Sequence, residues 1–153
     1  MRVSAKTDYA LRAAAEIAAS SDNGAPVKGE RIAVAQDIPL RFLENILSEL
    51  RNAGIIESRR GADGGYLLAR PPSEIALADV IRAVDGPLAN VGGRRPEQLE
   101  YGGSAESYQE VWIAVRAGLR TVLESITLAD VAAGKLPAPV RKLTADPEAW
   151  KPH

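Results

Sequence analysis

Residues 39–68 read PLRFLENILSELRNAGIIESRRGADGGYLL, and this stretch decides the fold. Phe42, Leu43, Ile46, Leu47, Leu50 and Ala53 recur at three- and four-residue intervals, the pattern of a helix laid on a core. Pro39 suits the first turn, where its missing N–H is not needed, and Gly54 suits the left-handed position just past the end. Two short runs rich in strand formers follow, residues 55–59 and 66–69. The six residues between them, Arg60-Gly61-Ala62-Asp63-Gly64-Gly65, carry three glycines and predict a hairpin turn.

The arc of the helix opposite its apolar stripe carries Arg41, Glu44, Asn45 and Ser48. Taken alone, these residues are better explained as a solvated face, and the hairpin at least as well as an ordinary tight turn. Together they have the chemistry of a nucleic-acid reader. Arginine pairs with guanine, asparagine with adenine, and glutamate accepts from the cytosine amino group. A glycine-rich tip can lay backbone N–H groups and an arginine against phosphate or in a narrow minor groove.

Composition bounds the remaining possibilities. The 153 residues are 46% apolar and 25% charged, suited to one modest domain with an added arm. No apolar run approaches the roughly 18 residues of a membrane span, and the first residues lack a signal-peptide core, so no membrane partner and a cytoplasmic location are expected. Cysteine is absent, which removes disulfides, thiolate metal sites and cysteine nucleophiles together. His153, the single histidine, stands in a proline-containing tail, so neither a metal nor a cofactor is expected. No Ser/His/Asp set or phosphate-binding loop points to an enzyme.

Charge is less informative. Residues 1–70 hold ten Lys/Arg against nine Asp/Glu, a balance of +1, and residues 71–153 hold nine against eleven, a balance of −2. Double-stranded DNA would have to meet cations gathered on one surface. The candidates are Arg2, Lys6, Lys28, Arg41, Arg51, Arg59 and Arg60.

Around the deciding stretch the chain is mostly helical. Residues 4–21 predict a first helix with Tyr9, Leu11, Ala14, Ile17 and Ala18 inward, and with Asp8 and Arg12 paired across one turn. Residues 20–26 read as a loop. Residues 29–36 predict a short helix, weakly capped by Lys28 and joined by Asp37-Ile38 to the helix that follows, as in a helix-turn-helix. Beyond the hairpin, Pro71-Pro72 breaks the chain, and Leu77, Val80, Ile81 and Val84 form the inner face of another short helix. The tetrapeptide Leu-Ala-Asp-Val occurs at Leu77 and again at Leu128, each time where a helix begins.

Residues 104–125 predict the longest helix. Tyr108, Val111, Trp112, Val115, Leu119, Val122 and Ile126 make an apolar stripe suited to the same helix of a second subunit, with packing inside one chain as the alternative. Gly118 within it costs about 1 kcal/mol relative to alanine and marks a position of close approach. The chain thus divides into a winged helix-turn-helix DNA-binding domain (1–86), a glycine-rich loop (87–103), a dimerisation helix with a short capping helix (104–134) and a poorly ordered tail (135–153).

Several segments, in order and with matching spacing, resemble the Rrf2 family of bacterial transcription regulators. They are residues 1–12 (MRVSAKTDYALR), Arg31-Ile32-Ala33, residues 43–54 (LENILSELRNAG), Arg60-Gly61 with Gly64-Gly65-Tyr66-Leu67-Leu68, and the two Leu-Ala-Asp-Val segments. The resemblance implies a homodimer that binds a near-palindromic operator, usually as a repressor. It also implies that Glu44 and the wing residue Arg60 take part in recognition, with Gly61, Gly64 and Gly65 shaping the wing.

Many relatives hold an iron–sulfur cluster through cysteines in the loop before the long helix, where this chain has none; Gln109 stands where some place a ligand. Asp8 resembles a first-helix carboxylate that some relatives lend across the dimer, and here reads as an ion-pair residue. A small-molecule effector is the sensing mode left open, and Arg94, Arg95, Tyr101, Tyr108 and Trp112 are its candidate pocket. These aromatics can equally fill the space where a cluster was lost. A winged-helix protein-interaction module that no longer binds DNA is the alternative function.

Overall fold

The computed structural model describes residues 3–20 and 24–152. Arg2, His153 and residues 21–23 of the first loop lie outside the described residues. Among the described residues, seven α-helices and one hairpin follow in chain order: α1 (Ala5–Ala19), α2 (Gly29–Gln36), α3 (Leu40–Asn52), β1 (Ile56–Arg59), β2 (Gly65–Leu68), α4 (Leu77–Asp85), α5 (Tyr108–Leu123), α6 (Leu128–Ala132) and α7 (Ala138–Thr144).

Local chemistry sets the boundaries. Ser4 caps α1 by accepting from the Thr7 N–H, and Asp8 and Arg12 pair at 3.0 Å. The guanidinium of Arg12 also lies 4.9 Å over the Tyr9 ring. Asp37 ends α2 in the left-handed conformation, φ 50°, and its neighbour Ile38 returns an N–H to the Ala33 carbonyl at 2.9 Å. That single left-handed residue turns the chain from α2 into α3. At the far end of α3, Gly54 has φ 72°. Ile55 N–H reaches Leu50 O, and Gly54 N–H reaches Arg51 O, each at 3.0 Å. These two bonds close a Schellman stop and aim the chain into β1.

The core gathers α1, α2, α3, the hairpin and α4. Leu43, Ile46, Leu47 and Leu50 of α3 are buried against Ala10, Ala13, Ala14 and Ile17 of α1, with Ile32, Ile56, Ile75 and Val80 completing the packing. Each large side chain so buried contributes on the order of 1.5–3 kcal/mol. Two members of the expected α3 stripe depart from it. Phe42 is 61% exposed and Ala53 is also exposed, because four apolar residues at 43, 46, 47 and 50 already fill the face that α1 can cover. On α4, Ala78, Val80 and Val84 are buried while Leu77 and Ile81 are half-buried.

β1 and β2 pair antiparallel with Ile56 opposite Leu68 and Arg59 opposite Gly65. A third backbone segment joins them, since Val27 and Tyr66 exchange hydrogen bonds of 2.9 and 2.8 Å. The wing is therefore tied to Val27, two residues ahead of α2.

Beyond α4 the structure differs from the expected division. Helix α5 starts at Tyr108, after a single 3-10 turn over Gly103–Ala105, and none of its residues is buried within the chain. Helix α6 does not stay with it. Ile126 (6% exposed) and Leu128 (0%) are in or against the winged-domain core, because Leu77 N–H bonds Ile126 O and Leu128 N–H bonds Ile75 O, both at 2.9 Å. The two Leu-Ala-Asp-Val segments thus begin helices side by side, bridged at Ala76 and Thr127. Thr127 and Asp130 form a reciprocal capping box. Asp130 is held below the usual carboxylate range by the Thr127 N–H and then its hydroxyl. The segment read as a poorly ordered tail contains α7, and Trp150 donates to the Thr144 carbonyl at 2.7 Å.

Candidate nucleic-acid interface

Helix α3 and the wing enclose a groove of about 390 Å³. Its walls bring together Lys28, Glu44, Arg51, Arg59, Arg60, Gly61, Gly64 and Gly65, eight of the thirteen residues that the sequence nominates for DNA. They come from four separate elements, and three local features bring them to one place. Glu44 and Arg51 lie seven residues apart on α3, so both face the wing. The bond pair between Val27 and Tyr66 draws Lys28 to the foot of the hairpin. The tip then folds Arg60 over the groove.

The tip requires its glycines for a measurable reason. Gly61 has φ 106°, and Gly64 donates to its carbonyl at 3.0 Å. A Cβ on Gly64 would stand 2.2 Å from the Arg59 carbonyl oxygen, and one on Gly65 2.6 Å from that of Val27. Only backbone fits at either place.

Three more candidates, Arg41, Asn45 and Ser48, lie on the outer arc of α3, the first two exposed and Ser48 half-buried. Among the described residues Lys28, Arg41, Arg51 and Arg60 form no ion pair, so their charge is available to phosphate. Arg59 approaches Glu57 at 4.0 Å. Lys6 is placed differently: it pairs with Glu49 at 3.2 Å and lies 3.9 Å from Asp85, on the α1 side of α3 and away from the wing. Arg2 is outside the described residues.

Phe42 is a residue that the spacing assigns to the core. It lines a second, more apolar cleft of about 420 Å³ with Tyr9, Asn45 and Ile46. An exposed aromatic ring beside Asn45 can meet a thymine methyl. The sequence does hold a signal for this, because 43, 46, 47 and 50 form a complete stripe without it.

The expected effector pocket is divided by the structure. Trp112 donates its indole N–H to the Tyr101 hydroxyl at 3.0 Å, and the Tyr101 and Tyr108 rings meet at 5.9 Å. Arg94 donates to the Gln98 carbonyl at 2.6 Å. The aromatic groups satisfy one another, and Arg95 instead lines a separate groove with Arg82, Arg116 and Arg120. In the expected dimer stripe, Tyr108 and Val111 are 53% and 46% exposed, and Trp112, Val115, Leu119 and Val122 are half-buried. Ile126 departs from the stripe, lying past the helix end and turned into the core.

Residues 3–134 match the Rrf2 family, described as an iron-dependent transcriptional regulator. An HTH-type transcriptional regulator of Mycobacterium tuberculosis is 48% identical over 95% of this chain and 90% of its own length. The HTH-type regulator CymR of Bacillus subtilis is 38% identical over 86% of this chain and 90% of its length. The solved structure of CymR, described as the global cysteine regulator of B. subtilis, superposes with a TM-score of 0.74 over 89% of this chain and 99% of that one, at 35% identity. That of IscR from T. potens does so with 0.67, over 100% and 93%, at 32% identity.

The donors for an iron site do not fit. The chain has no sulfur donor except its one methionine. Among the described residues no three His, Cys, Asp or Glu side chains converge on a metal position. Gln109, which the resemblance sets at a ligand position, donates to the Leu99 carbonyl at 2.7 Å, which ties the loop to α5. Among the described residues no helix is long and apolar enough to cross a membrane. With its winged helix-turn-helix, its glycine-built wing and a family match over residues 3–134, the chain belongs to the Rrf2 family of transcriptional regulators.

Proposed function

We propose that this chain is a sequence-specific DNA-binding repressor that acts in the cytoplasm as a homodimer on a near-palindromic operator and holds no iron–sulfur cluster. The observation that carries this reading is the groove between α3 and the wing, which collects Glu44, Arg51, Arg59, Arg60 and three wing glycines from distant parts of the sequence. Glu44 and Asn45 read base edges from α3 in the major groove. Arg60 and the tip N–H groups hold the flanking phosphates or the minor groove.

Dimerisation through α5 is supported by its apolar composition and by the absence of any residue buried within its own chain. Gly118, where a Cβ would meet nothing within 4 Å, allows another helix to approach there. Two copies then present two recognition helices to half-sites spaced by about one helical turn.

The test is selection of genomic fragments by the purified protein, followed by fluorescence anisotropy on the enriched duplex. A symmetric footprint and a preference of about 10³-fold or more over scrambled duplex are expected. An iron chelator should leave the affinity unchanged. Equal affinity for enriched and scrambled duplexes would exclude sequence-specific repression.

A further inference from the structure

At the joint between the winged domain and α5 lies an open groove of about 550 Å³, walled by four arginines. Arg82 comes from α4, Arg95 from the loop, and Arg116 and Arg120 stand four residues apart on one face of α5. Like charges at that helical spacing oppose helix formation, so the cluster needs compensating anions. Part of the compensation is internal. Arg116 pairs with Glu97, and Arg82 and Arg120 share one oxygen of Glu124. Arg82 also lies 3.7 Å from Asp79, which is shared with Arg70. With Arg95 counted beside these four, five guanidiniums stand against three carboxylates, which leaves an excess of two positive charges.

The hydrogen-bond donors are equally underused. A guanidinium offers five N–H groups in a planar fork that matches carboxylate or phosphate. Among the described residues Arg120 donates only through Nε, at 3.0 Å, and its two terminal nitrogens have no partner there. The Arg95 side chain makes no hydrogen bond or ion pair among the described residues; Glu97 is held below the usual carboxylate range by a backbone hydrogen bond and by Arg116 first, and only then by the charge of Arg95. The volume falls in the range of small-ligand sites.

We propose that this groove binds a small polyanion carrying at least two carboxylate or phosphate groups, with Arg95 and Arg120 as its main contacts. Arg82 belongs to the winged domain and Arg116 and Arg120 to α5, so the bound anion ties one to the other. That regulatory consequence rests on the reading of the chain as an operator-binding dimer, whereas the binding itself does not.

Calorimetry on the full chain without DNA tests it, with citrate and pyrophosphate as probes at an ionic strength matched by sodium chloride. Saturable binding of one or both is expected, and the one that binds says whether carboxylate or phosphate is preferred. Arg95→Ala and Arg120→Gln should each weaken it about tenfold or more, while Arg141→Gln on α7 should bind as the unaltered chain does. Should Arg120→Gln lower the melting temperature, Arg95→Ala decides the matter, since its side chain has no hydrogen bond or ion pair to lose. Heats that follow ionic strength alone, or binding indifferent to Arg95→Ala, would overturn the site. A parallel titration of the enriched duplex separates the two readings: loss of sequence preference there with intact anion binding removes the operator and leaves the groove.

Discussion

A Cβ on Gly65 would stand 2.6 Å from the carbonyl oxygen of Val27, so strand β2 and the segment ahead of α2 meet backbone to backbone. Tyr66, the next residue, exchanges both hydrogen bonds with Val27. Gly65→Ala must push these segments apart and adopt φ near 150° with a side chain. We expect a loss of about 1–3 kcal/mol in urea unfolding, with a larger fractional loss of operator affinity than of stability at temperatures where the protein is still folded. Unfolding midpoints equal to those of the unaltered protein would show that the wing can shift away from Val27 freely.

Glu44 lines the groove from the recognition helix, and no hydrogen bond or ion pair holds its carboxylate among the described residues. On the proposed reading, Glu44→Ala removes a base-edge acceptor and little else. Discrimination should relax at one base pair per half-site by about 1–3 kcal/mol, with non-specific binding nearly unchanged. A uniform loss on every duplex would instead assign Glu44 to orienting the helix.

Arg60 stands at the wing tip without an ion-pair partner among the described residues. Each cation that contacts a phosphate releases a counterion, so Arg60→Ala should lower the magnitude of the salt slope, log K against log salt concentration, by about one unit per subunit. Anisotropy titrations across a salt series measure it. An unchanged slope would lift the wing off the DNA.

Much of this molecule can be read along the chain because its signals are local. The stop at Gly54, the turn at Asp37 and the glycine tip each act within a few residues, and α3 follows from spacing alone. Phe42 is misplaced by spacing because periodicity counts apolar residues without asking whether a neighbouring helix is wide enough to cover them. Helix α6 reads as part of the α5 arm because adjacency in sequence does not reveal the bridge between Ala76 and Thr127, fifty-one positions apart. The arginine groove is less visible still, since its members lie on α4, a loop and α5, and meet only after all three have folded. Conversely, Tyr101, Tyr108 and Trp112 read as pocket walls because they gather where the loop meets the start of the long helix, whereas Trp112 donates to Tyr101 and the rings occupy that space themselves.

Val115 and Val122 lie half-buried along α5, beside Val111, Ala114 and Gly118, which are all exposed. An apolar strip of that kind, in a helix with no buried residue of its own, is more stable when a second copy covers it. Val115→Glu would place a carboxylate in the middle of that contact, where neither copy offers an opposing cation on the strip, and burying an unpaired charge is strongly unfavourable. We expect sedimentation equilibrium to give a monomer, and operator binding to fall by orders of magnitude because one winged helix contacts half the phosphates. Because Val115 is outside the winged-domain core, circular dichroism should still report most of the helix content. A variant that sediments as a dimer with unimpaired binding would move the interface off α5.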